Sequence, residues 1–216
     1  MEMRARDVGV GGGGGRPLVI GLAGGVGSGK SAVARAFESL GCVVIDSDAE
    51  VRVALERPDV RAELARWWGP AVLAPDGSVN RKAVASIVFT NEAERKRLEG
   101  LIHPLLRRNR AQVIEAASGR GGDVPAVILD APLLFEAGLV GECDAVVFVD
   151  SPREMRVERV RSSRGWEASE LDRREKSQAP LEEKRRLADY VIQNDADESA
   201  LRARTAAVFE RIMSGR

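Results

Sequence analysis

The chain has 216 residues, of which 44% are hydrophobic, and its 33 basic and 33 acidic side chains give a formal net charge of zero. Balanced charge argues against a general nucleic-acid binder or a membrane-surface protein, because either normally carries excess positive charge. No apolar run of about 18 residues and no secretory signal appears, so we expect a cytoplasmic globular protein with one main core.

The amino-terminal residues 1–16 contain five consecutive glycines and show no hydrophobic periodicity, which predicts a disordered tail. Beyond them, near-continuous apolar runs of strand length occur, as is typical of a parallel sheet covered on both faces. The runs are LVIGLA at 18–23, CVVI at 42–45, AVIL at 126–129, AVVFV at 145–149 and YVI at 190–192.

A glycine-rich loop follows the first run. The segment GLAGGVGSGKSA, residues 21–32, places five glycines within nine residues and fits the pattern G-x-x-x-x-G-K-S from Gly24 to Ser31. In such a loop, backbone N–H groups surround phosphate, the lysine reaches the β- and γ-phosphates, and the hydroxyl ligates Mg²⁺. Lys30 is therefore a candidate catalytic residue and Ser31 a candidate metal ligand. The expected phosphate-binding residues are Gly25, Gly27, Ser28, Gly29, Lys30, Ser31 and Ala32.

The second run leads into VVIDSDAE, which places Asp46 and Asp48 near the carboxyl end of a strand. Ligands gather at that edge of doubly wound sheets. We expect Asp48 to be the general base that accepts a proton from an incoming hydroxyl, with Asp46 as the second candidate. A helix cap or helix-dipole partner is the alternative. Ser47 with Glu50 also forms a capping-box pattern.

About 80 residues separate the second and third strands, which predicts an inserted helical domain. Its longest helical pattern runs from about residue 91 to 117, and Pro104 predicts a kink near His103. We interpret His103, the only histidine, as a pocket wall or buried structural residue rather than a catalytic group. Trp67 and Trp68 could stack on a base, but packing within the insertion is favoured.

The carboxyl half adds further candidate residues. Asp130 ends the third strand and could hold Mg²⁺ through water, or could satisfy a local loop. Ser151 with Glu154 repeats the capping-box pattern. Cys42 and Cys143 lack metal-ligand spacing and are expected to be buried thiols.

A second insertion, residues 153–184, is rich in charge and poor in apolar residues, so we expect it to be mobile. Arg159, Arg161 and Arg164 could grip phosphate or stack on adenine. A solvated helix face is the alternative.

The motifs favour a small-molecule kinase. A GTPase would carry N-K-x-D and an ABC-type ATPase would carry L-S-G-G-Q, and the chain has neither. Two alternatives remain to a kinase that acts on one specific acceptor. The first is another P-loop kinase for a nucleoside, nucleotide or sugar. The second is a nucleotide-gated binding protein that acts through a partner.

The ordered motifs resemble the dephospho-coenzyme A kinase family from about residue 18 to 208. The phosphate loop and G-x-V-x-I-D-x-D are followed by IHP at 102–104, LDAPLLFEAG at 129–138, FVDSP at 148–152 and ADYVIQND at 188–195. Ala32 stands where the family usually has threonine. The family usually has two arginines four apart before the lid turn, whereas this chain has R-V-R-S-S-R at 159–164.

The resemblance implies an α/β P-loop kinase with a doubly wound five-stranded parallel sheet, a helical acceptor-binding insertion and a lid. It implies transfer of phosphate from ATP, with Mg²⁺, to the ribose 3′-hydroxyl of dephospho-coenzyme A, with Asp48 as the base. The expected regions are a nucleotide-binding core (17–48, 121–152 and 185–216), an acceptor domain (49–120) and a lid (153–184). Expected acceptor-binding residues are Asp48, His103, Pro132, Leu133, Leu134 and Glu136. Expected lid or adenine residues are Arg159, Arg161, Arg164 and Asn194. Neither nucleic acid nor membrane is an expected partner, and a monomer is favoured.

Overall fold

The computed structural model describes residues 16–119 and 123–215. Its strands are β1 Leu18–Gly24, β2 Val43–Asp46, β3 Ala126–Asp130, β4 Ala145–Asp150 and β5 Tyr190–Gln193. Its α-helices are α1 Lys30–Ser39, α2 Ser47–Leu55, α3 Pro58–Trp68, α4 Arg81–Thr90, α5 Glu92–Ser118, α6 Arg153–Arg164, α7 Ala168–Glu175, α8 Leu181–Leu187 and α9 Glu198–Ser214. Each predicted strand lies within one or two residues of an observed one.

The sheet has the order β2-β3-β1-β4-β5, and every neighbouring pair is parallel. The interior strands are apolar up to the aspartates that end β3 and β4, because helices cover both faces. Val127, Ile128 and Val147, for example, are fully buried. Within the described residues this confirms the predicted doubly wound, five-stranded α/β fold. It also brings the carboxyl ends of all five strands to one edge.

Most of the predicted tail lies outside the described residues, but its last member, Arg16, belongs to the ordered chain. Its guanidinium donates hydrogen bonds of 2.9 and 2.7 Å to the two carboxylate oxygens of Asp144. The Val19 N–H donates to the Asp144 carboxylate, and the Asp144 N–H donates to the Val19 carbonyl oxygen, each at 2.8 Å. Asp189 repeats this arrangement with Val146 at 2.7 and 2.9 Å. Asp144 and Asp189 thus hydrogen-bond to backbone groups near the amino ends of β1 and β4.

The main core lies where α1 and α9 pack on the sheet. Phe37 of α1 meets Phe209 of α9 edge to face, with ring centroids 5.7 Å apart. Cys42 and Cys143 are both buried thiols, as expected. Burial raises the pKa of the Cys42 thiol to about 12, so it stays protonated at neutral pH.

The chain divides into two compact units, one formed by residues 47–113 and the other by the rest of the described chain. The 47–113 unit has its own apolar core, which includes Val60, Leu64 and Ile102. Trp67 and Trp68 pack against this core, and their indole N–H groups donate to Glu63 and Glu94 at 2.8 and 2.7 Å. Packing therefore accounts for both tryptophans.

The long predicted helix is confirmed as α5, which has 27 residues and contains Pro104 in its interior. His103 is exposed on α5, so its interpretation as a buried structural residue is wrong. No helix in the described ranges combines the length and apolarity needed to cross a membrane.

Candidate active site

The phosphate loop, residues 24–31, connects β1 to α1. Gly27 and Gly29 have φ values of 74° and 89°, a conformation that favours glycine. α1 begins at Lys30, directly after the second of these turns. The first N–H groups of a helix have no partner within the helix, and the helix dipole adds partial positive charge there. The loop therefore has the features of an anion site, with Lys30 and Ser31 at its helical end.

The loop is packed closely from behind by β4 and α6. A Cβ atom on Gly24 would lie 2.6 Å from the Val149 carbonyl oxygen, and one on Gly27 would lie 2.8 Å from the Arg156 carbonyl oxygen. Both distances are shorter than any ordinary carbon–oxygen contact. The glycines are thus required by close approach as well as by conformation, and the loop has no room to move toward the sheet.

Some predicted phosphate-binding groups form bonds within the loop. The Ser28 N–H donates to the Gly25 carbonyl oxygen at 3.1 Å, and the Ala32 N–H donates to the Gly29 carbonyl oxygen at 2.9 Å. Ser28 is 1% exposed, and its hydroxyl packs against Gly24. Contact of Ser28 and Ala32 with phosphate stays a prediction, as do the roles of the other loop residues.

Asn194 joins the loop to the carboxyl end of β5. It is buried, and its amide nitrogen donates to the Ser28 carbonyl oxygen at 2.7 Å. Arg159 of α6 donates to the same oxygen at 3.3 Å and to the Asn194 amide oxygen at 3.2 Å. The sequence singled out both residues, but for adenine or transferred phosphate. In the structure both side chains contact the Ser28 carbonyl oxygen of the phosphate loop. Their adenine roles stay predictions.

Ser151 belongs to the same cluster and was not expected there. Its hydroxyl donates to the Asn194 carbonyl oxygen at 2.9 Å and accepts from Arg159 at 2.8 Å. The predicted capping bond is absent, since the residue before α6 is Pro152 and makes no side-chain cap. The capping prediction at Ser47 is also wrong, because its buried hydroxyl has no hydrogen-bond partner among the described residues.

Two of the carboxylates at the carboxyl edge of the sheet lie on neighbouring strands. Asp46 and Asp130 are register partners at the ends of β2 and β3, and Asp130 also pairs with Leu22 of β1. Paired strands are about 4.8 Å apart, so these residues are immediate neighbours. Asp48 is the second residue of α2 and belongs to the 47–113 unit. Its role as base stays a prediction.

The segment after β3 contains four of the predicted acceptor-binding residues, Pro132, Leu133, Leu134 and Glu136. Leu134 is buried, and a Cβ atom on Gly21 would lie 2.8 Å from its Cδ2 atom, so it fills the space beside β1. Leu133 is 47% exposed, whereas Pro132 is half-buried. Leu133 is therefore the apolar side chain of this segment that a bound molecule could cover.

Glu136 contacts two residues of segment 153–184, which the sequence predicts to be a lid. Its carboxylate pairs with Lys184 at 2.6 Å and accepts the Ala179 N–H at 2.9 Å. Lys184 is 1% exposed and also donates to the Gln178 side chain at 3.0 Å. Burial by itself would raise the pKa of Glu136, but the bonds from Lys184 and Ala179 outweigh it, and the pKa is lowered. Its role toward the acceptor stays a prediction.

The three predicted lid arginines have different surroundings. Arg159 is half-buried, and burial lowers its pKa. Arg161 and Arg164 are exposed, and the Arg164 guanidinium lies 4.8 Å from the ring centroid of Trp166. Arg156, which the sequence did not single out, is buried and paired with Glu175 beside the phosphate loop.

Mg²⁺ requires few protein ligands when phosphate oxygens and water supply the others. No cluster of three histidine, cysteine, aspartate or glutamate side chains that could hold a metal occurs in the described part of the chain. Ser31 at the start of α1 and Asp130 at the end of β3 have the oxygen chemistry that Mg²⁺ prefers. They fit an ion carried in by a nucleotide.

The chain is similar to known proteins over most of its length. A sequence model of the dephospho-coenzyme A kinase family matches residues 18–199. The dephospho-coenzyme A kinase of Anaeromyxobacter dehalogenans is 37% identical over 199 residues, which cover 92% of this chain and 93% of the relative. A crystal structure from Thermus thermophilus matches with a TM-score of 0.79 and 36% identity over 91% of this chain and 98% of that one. The fold also matches a dephospho-coenzyme A kinase from Campylobacter jejuni, with a TM-score of 0.67, 23% identity and coverage of 91% and 98%.

Proposed function

The chain belongs to the dephospho-coenzyme A kinase family, and from that premise we propose that it transfers the terminal phosphoryl group of ATP to the ribose 3′-hydroxyl of dephospho-coenzyme A. ATP-dependent phosphorylation of dephospho-coenzyme A, a step of coenzyme A biosynthesis, is the activity of the family. The transferred group and the acceptor class follow from the family. The position of the hydroxyl and the roles of individual residues are our proposal.

The phosphate loop is the observation that supports this function most directly. Gly27 and Gly29 turn the backbone at positive φ, and the loop leads directly into α1. Lys30, at the start of that helix, would neutralise charge on the β- and γ-phosphates as it develops during transfer. Such positioning and charge neutralisation provide most of the acceleration in phosphoryl transfer.

Mg²⁺ completes the proposed site. Ser31 would hold the ion directly and Asp130 would hold it through water, and the ion would neutralise charge on the phosphate oxygens. A cytoplasmic location and a monomeric state also stay part of the proposal.

Asp48 is the proposed general base. It would accept the proton of the ribose hydroxyl as the hydroxyl attacks, a contribution typically of about 10²–10⁴-fold. We expect Asp48→Asn to lower kcat by about that factor while the Kd for ATP changes little. Asp46→Asn is the matched control, because it removes the neighbouring carboxylate. Wild-type turnover in the Asp48→Asn variant, with loss in the Asp46→Asn variant, would transfer the role to Asp46.

A panel of acceptors tests the function itself. ADP release is measured with dephospho-coenzyme A, nucleosides, nucleotides and sugars, and the product is located on the ribose by NMR. We expect dephospho-coenzyme A to have the highest kcat/KM by a wide margin, with phosphate on the 3′-hydroxyl. A higher kcat/KM for another acceptor would identify a different small-molecule kinase. ATP hydrolysis that required a protein partner, with no acceptor phosphorylated, would identify a nucleotide-gated binding protein.

A further inference from the structure

The peptide bond between Ser28 and Gly29 is held from outside the phosphate loop. The Ser28 carbonyl oxygen accepts one hydrogen bond of 2.7 Å from the Asn194 amide and another of 3.3 Å from Arg159. Asn194 lies 166 positions away in the sequence, and Arg159 lies 131 positions away. Asn194 follows β5, which lies on the other side of β4 from β1, and Arg159 belongs to α6.

The direction of this carbonyl determines the direction of the next N–H. In a trans peptide the carbonyl oxygen and the N–H point in opposite directions, and no cis peptide occurs in the described chain. Fixing the Ser28 oxygen against Asn194 therefore turns the Gly29 N–H away from Asn194. An N–H that is fixed before a ligand arrives binds an anion without a reorganisation cost.

Asn194 is itself held rigidly. Its N–H donates to the Asp150 carbonyl oxygen at 2.7 Å, which continues the β4–β5 pairing by one residue. The Ser151 hydroxyl and the Arg159 guanidinium donate to its backbone carbonyl oxygen at 2.9 and 3.1 Å. Asn194 is only 5% exposed. The position of its side-chain amide is therefore fixed relative to the carboxyl edge of the sheet.

Gly29 and Asn194 fit each other closely. A Cβ atom on Gly29 would lie 2.2 Å from the amide nitrogen of Asn194, which is less than any real contact allows. The amide therefore occupies the space that a glycine leaves open. Positive φ alone would permit asparagine at position 29, whereas the close approach of Asn194 excludes every side chain.

We propose that Asn194 and Arg159 are positioning residues for the bound triphosphate, which act by holding the Ser28–Gly29 peptide so that its N–H faces the phosphates. This inference rests on the proposed binding of ATP at the loop. It assigns Asn194 to phosphate affinity through the backbone rather than to recognition of adenine.

Asn194→Leu tests the role of the amide. Leucine has nearly the same shape as asparagine, cannot donate to Ser28, and adds no charge that would itself repel phosphate. We measure the affinities for ATP, for inorganic tripolyphosphate and for adenosine by competition with a fluorescent ATP analogue. One lost hydrogen bond predicts that ATP and tripolyphosphate bind about threefold to tenfold more weakly. Adenosine affinity should stay unchanged, and only the KM for ATP should rise, not the KM for dephospho-coenzyme A.

Asp197→Ala is the matched control. Asp197 follows Asn194 in the same segment and caps α9 by accepting the Ala200 N–H at 2.8 Å. Losing the cap should lower the melting temperature by a few degrees without changing tripolyphosphate affinity. If Asn194→Leu lowers the melting temperature as this control does but binds tripolyphosphate like the wild type, the proposal is wrong. It is also wrong if adenosine affinity falls while tripolyphosphate affinity does not.

Two further outcomes keep the proposals separate. If the Asn194→Leu variant does not fold, Asn194→Ala is measured in the same assay. The loss of tripolyphosphate affinity relative to adenosine affinity then decides. If the wild-type enzyme binds tripolyphosphate with the expected dependence on Asn194 but does not phosphorylate dephospho-coenzyme A, the positioning role is supported and the proposed function fails.

Discussion

The phosphate loop and the lid segment, residues 153–184, are neighbours in one compact unit, yet different forces hold them. The loop takes its shape from backbone conformation and close contact. Gly27 and Gly29 have positive φ, and Cβ atoms on them would lie within 2.8 and 2.2 Å of neighbouring atoms. Nothing in this arrangement depends on solution conditions.

The lid segment is held largely by charge. Arg156 pairs with Glu175, and Arg153 pairs with Asp172 at 2.8 Å. Lys184 pairs with Glu136 outside the segment. The apolar contribution of its three helices is small, since Val160 of α6 and Leu171 of α7 are the only apolar side chains fully buried on them in the described residues.

This difference indicates how each region responds to changes in pH and ionic strength. A steric constraint does not change with pH or ionic strength, whereas ion pairs weaken as salt screens them and as their carboxylates take up protons. We therefore expect the loop to be rigid under all folding conditions and the lid to be adjustable. Three sets of substitutions test this contrast, from the largest expected effect to the smallest.

Two glycines provide the sharpest test. Gly29 in the loop and Gly165 after α6 both have left-handed conformations, with φ values of 89° and 66°. A Cβ atom on Gly165 meets nothing within 4 Å, whereas one on Gly29 overlaps Asn194. Gly165→Ala should therefore cost only the conformational strain, about 1–2 kcal/mol. Gly29→Ala adds overpacking and should cost about 2–5 kcal/mol in urea unfolding.

The same two variants distinguish an effect on stability from an effect on ATP binding. Gly29→Ala should weaken ATP binding at least as much as Asn194→Leu does, because the added methyl displaces the same amide from the Ser28 carbonyl oxygen. Gly165→Ala should bind ATP like the wild type. Equal losses of stability in the two variants would show that conformation alone matters at Gly29, and the steric account of the loop would then be wrong.

The ion pair between Glu136 and the buried Lys184 gives a smaller, pH-dependent effect. Removing the carboxylate charge leaves Lys184, 1% exposed, without its partner ion. We expect Glu136→Gln to lower the free energy of unfolding by about 2 kcal/mol at pH 7, between the values for surface and buried pairs. Thermal or urea unfolding measures it.

The sign of the pH dependence follows from the lowered pKa of Glu136. A carboxyl whose pKa is lower in the folded state stabilises the fold above its ordinary value of 4.5, and the contribution is lost as pH falls through the lower folded value. The wild type should therefore lose more stability between about pH 6 and 3 than the Glu136→Gln variant. Glu182→Gln, on exposed α8 surface, is the control and should keep the wild-type slope.

The fold could be predicted from the sequence because its signals are local. Continuous apolar runs identified all five strands of the described sheet, and the residues of β2 shifted only from 42–45 to Val43–Asp46. The phosphate loop could be identified equally well, since its glycines, Lys30 and Ser31 all fall within the short segment 24–31. Periodicity and a short motif are sufficient where neighbours in sequence are also neighbours in space.

The rest of the site depends on contacts between distant segments. Ser151 matched a local capping pattern, but its hydroxyl donates to Asn194, which the sheet brings within reach. Glu136 was expected to face the acceptor, and the structure pairs it with Lys184. A residue type shows which bonds a side chain can form. Only the packed chain decides which of the available partners it takes.

The exposed ion pairs of α7 should give the smallest effect. Glu170 accepts bonds of 2.8 and 2.9 Å from Arg173 and one of 2.7 Å from Arg174. Those bonds lower the pKa of Glu170 to about 2, so its contribution is complete above its ordinary value of 4.5 and is lost as pH falls toward 2.

Solvent screens these pairs because the Arg173 and Arg174 side chains are 70% and 47% exposed, so we expect Glu170→Gln to change the melting temperature by no more than about 1 °C, and by less in 0.5 M salt. Arg174 also stacks on Trp166 at 4.0 Å from the ring centroid, a contact that the substitution leaves in place. Differential scanning calorimetry at two salt concentrations measures the change. A loss as large as that of Glu136→Gln would contradict the role given to burial, because the stronger pKa shift at Glu170 would then predict stability better than the depth of the pair.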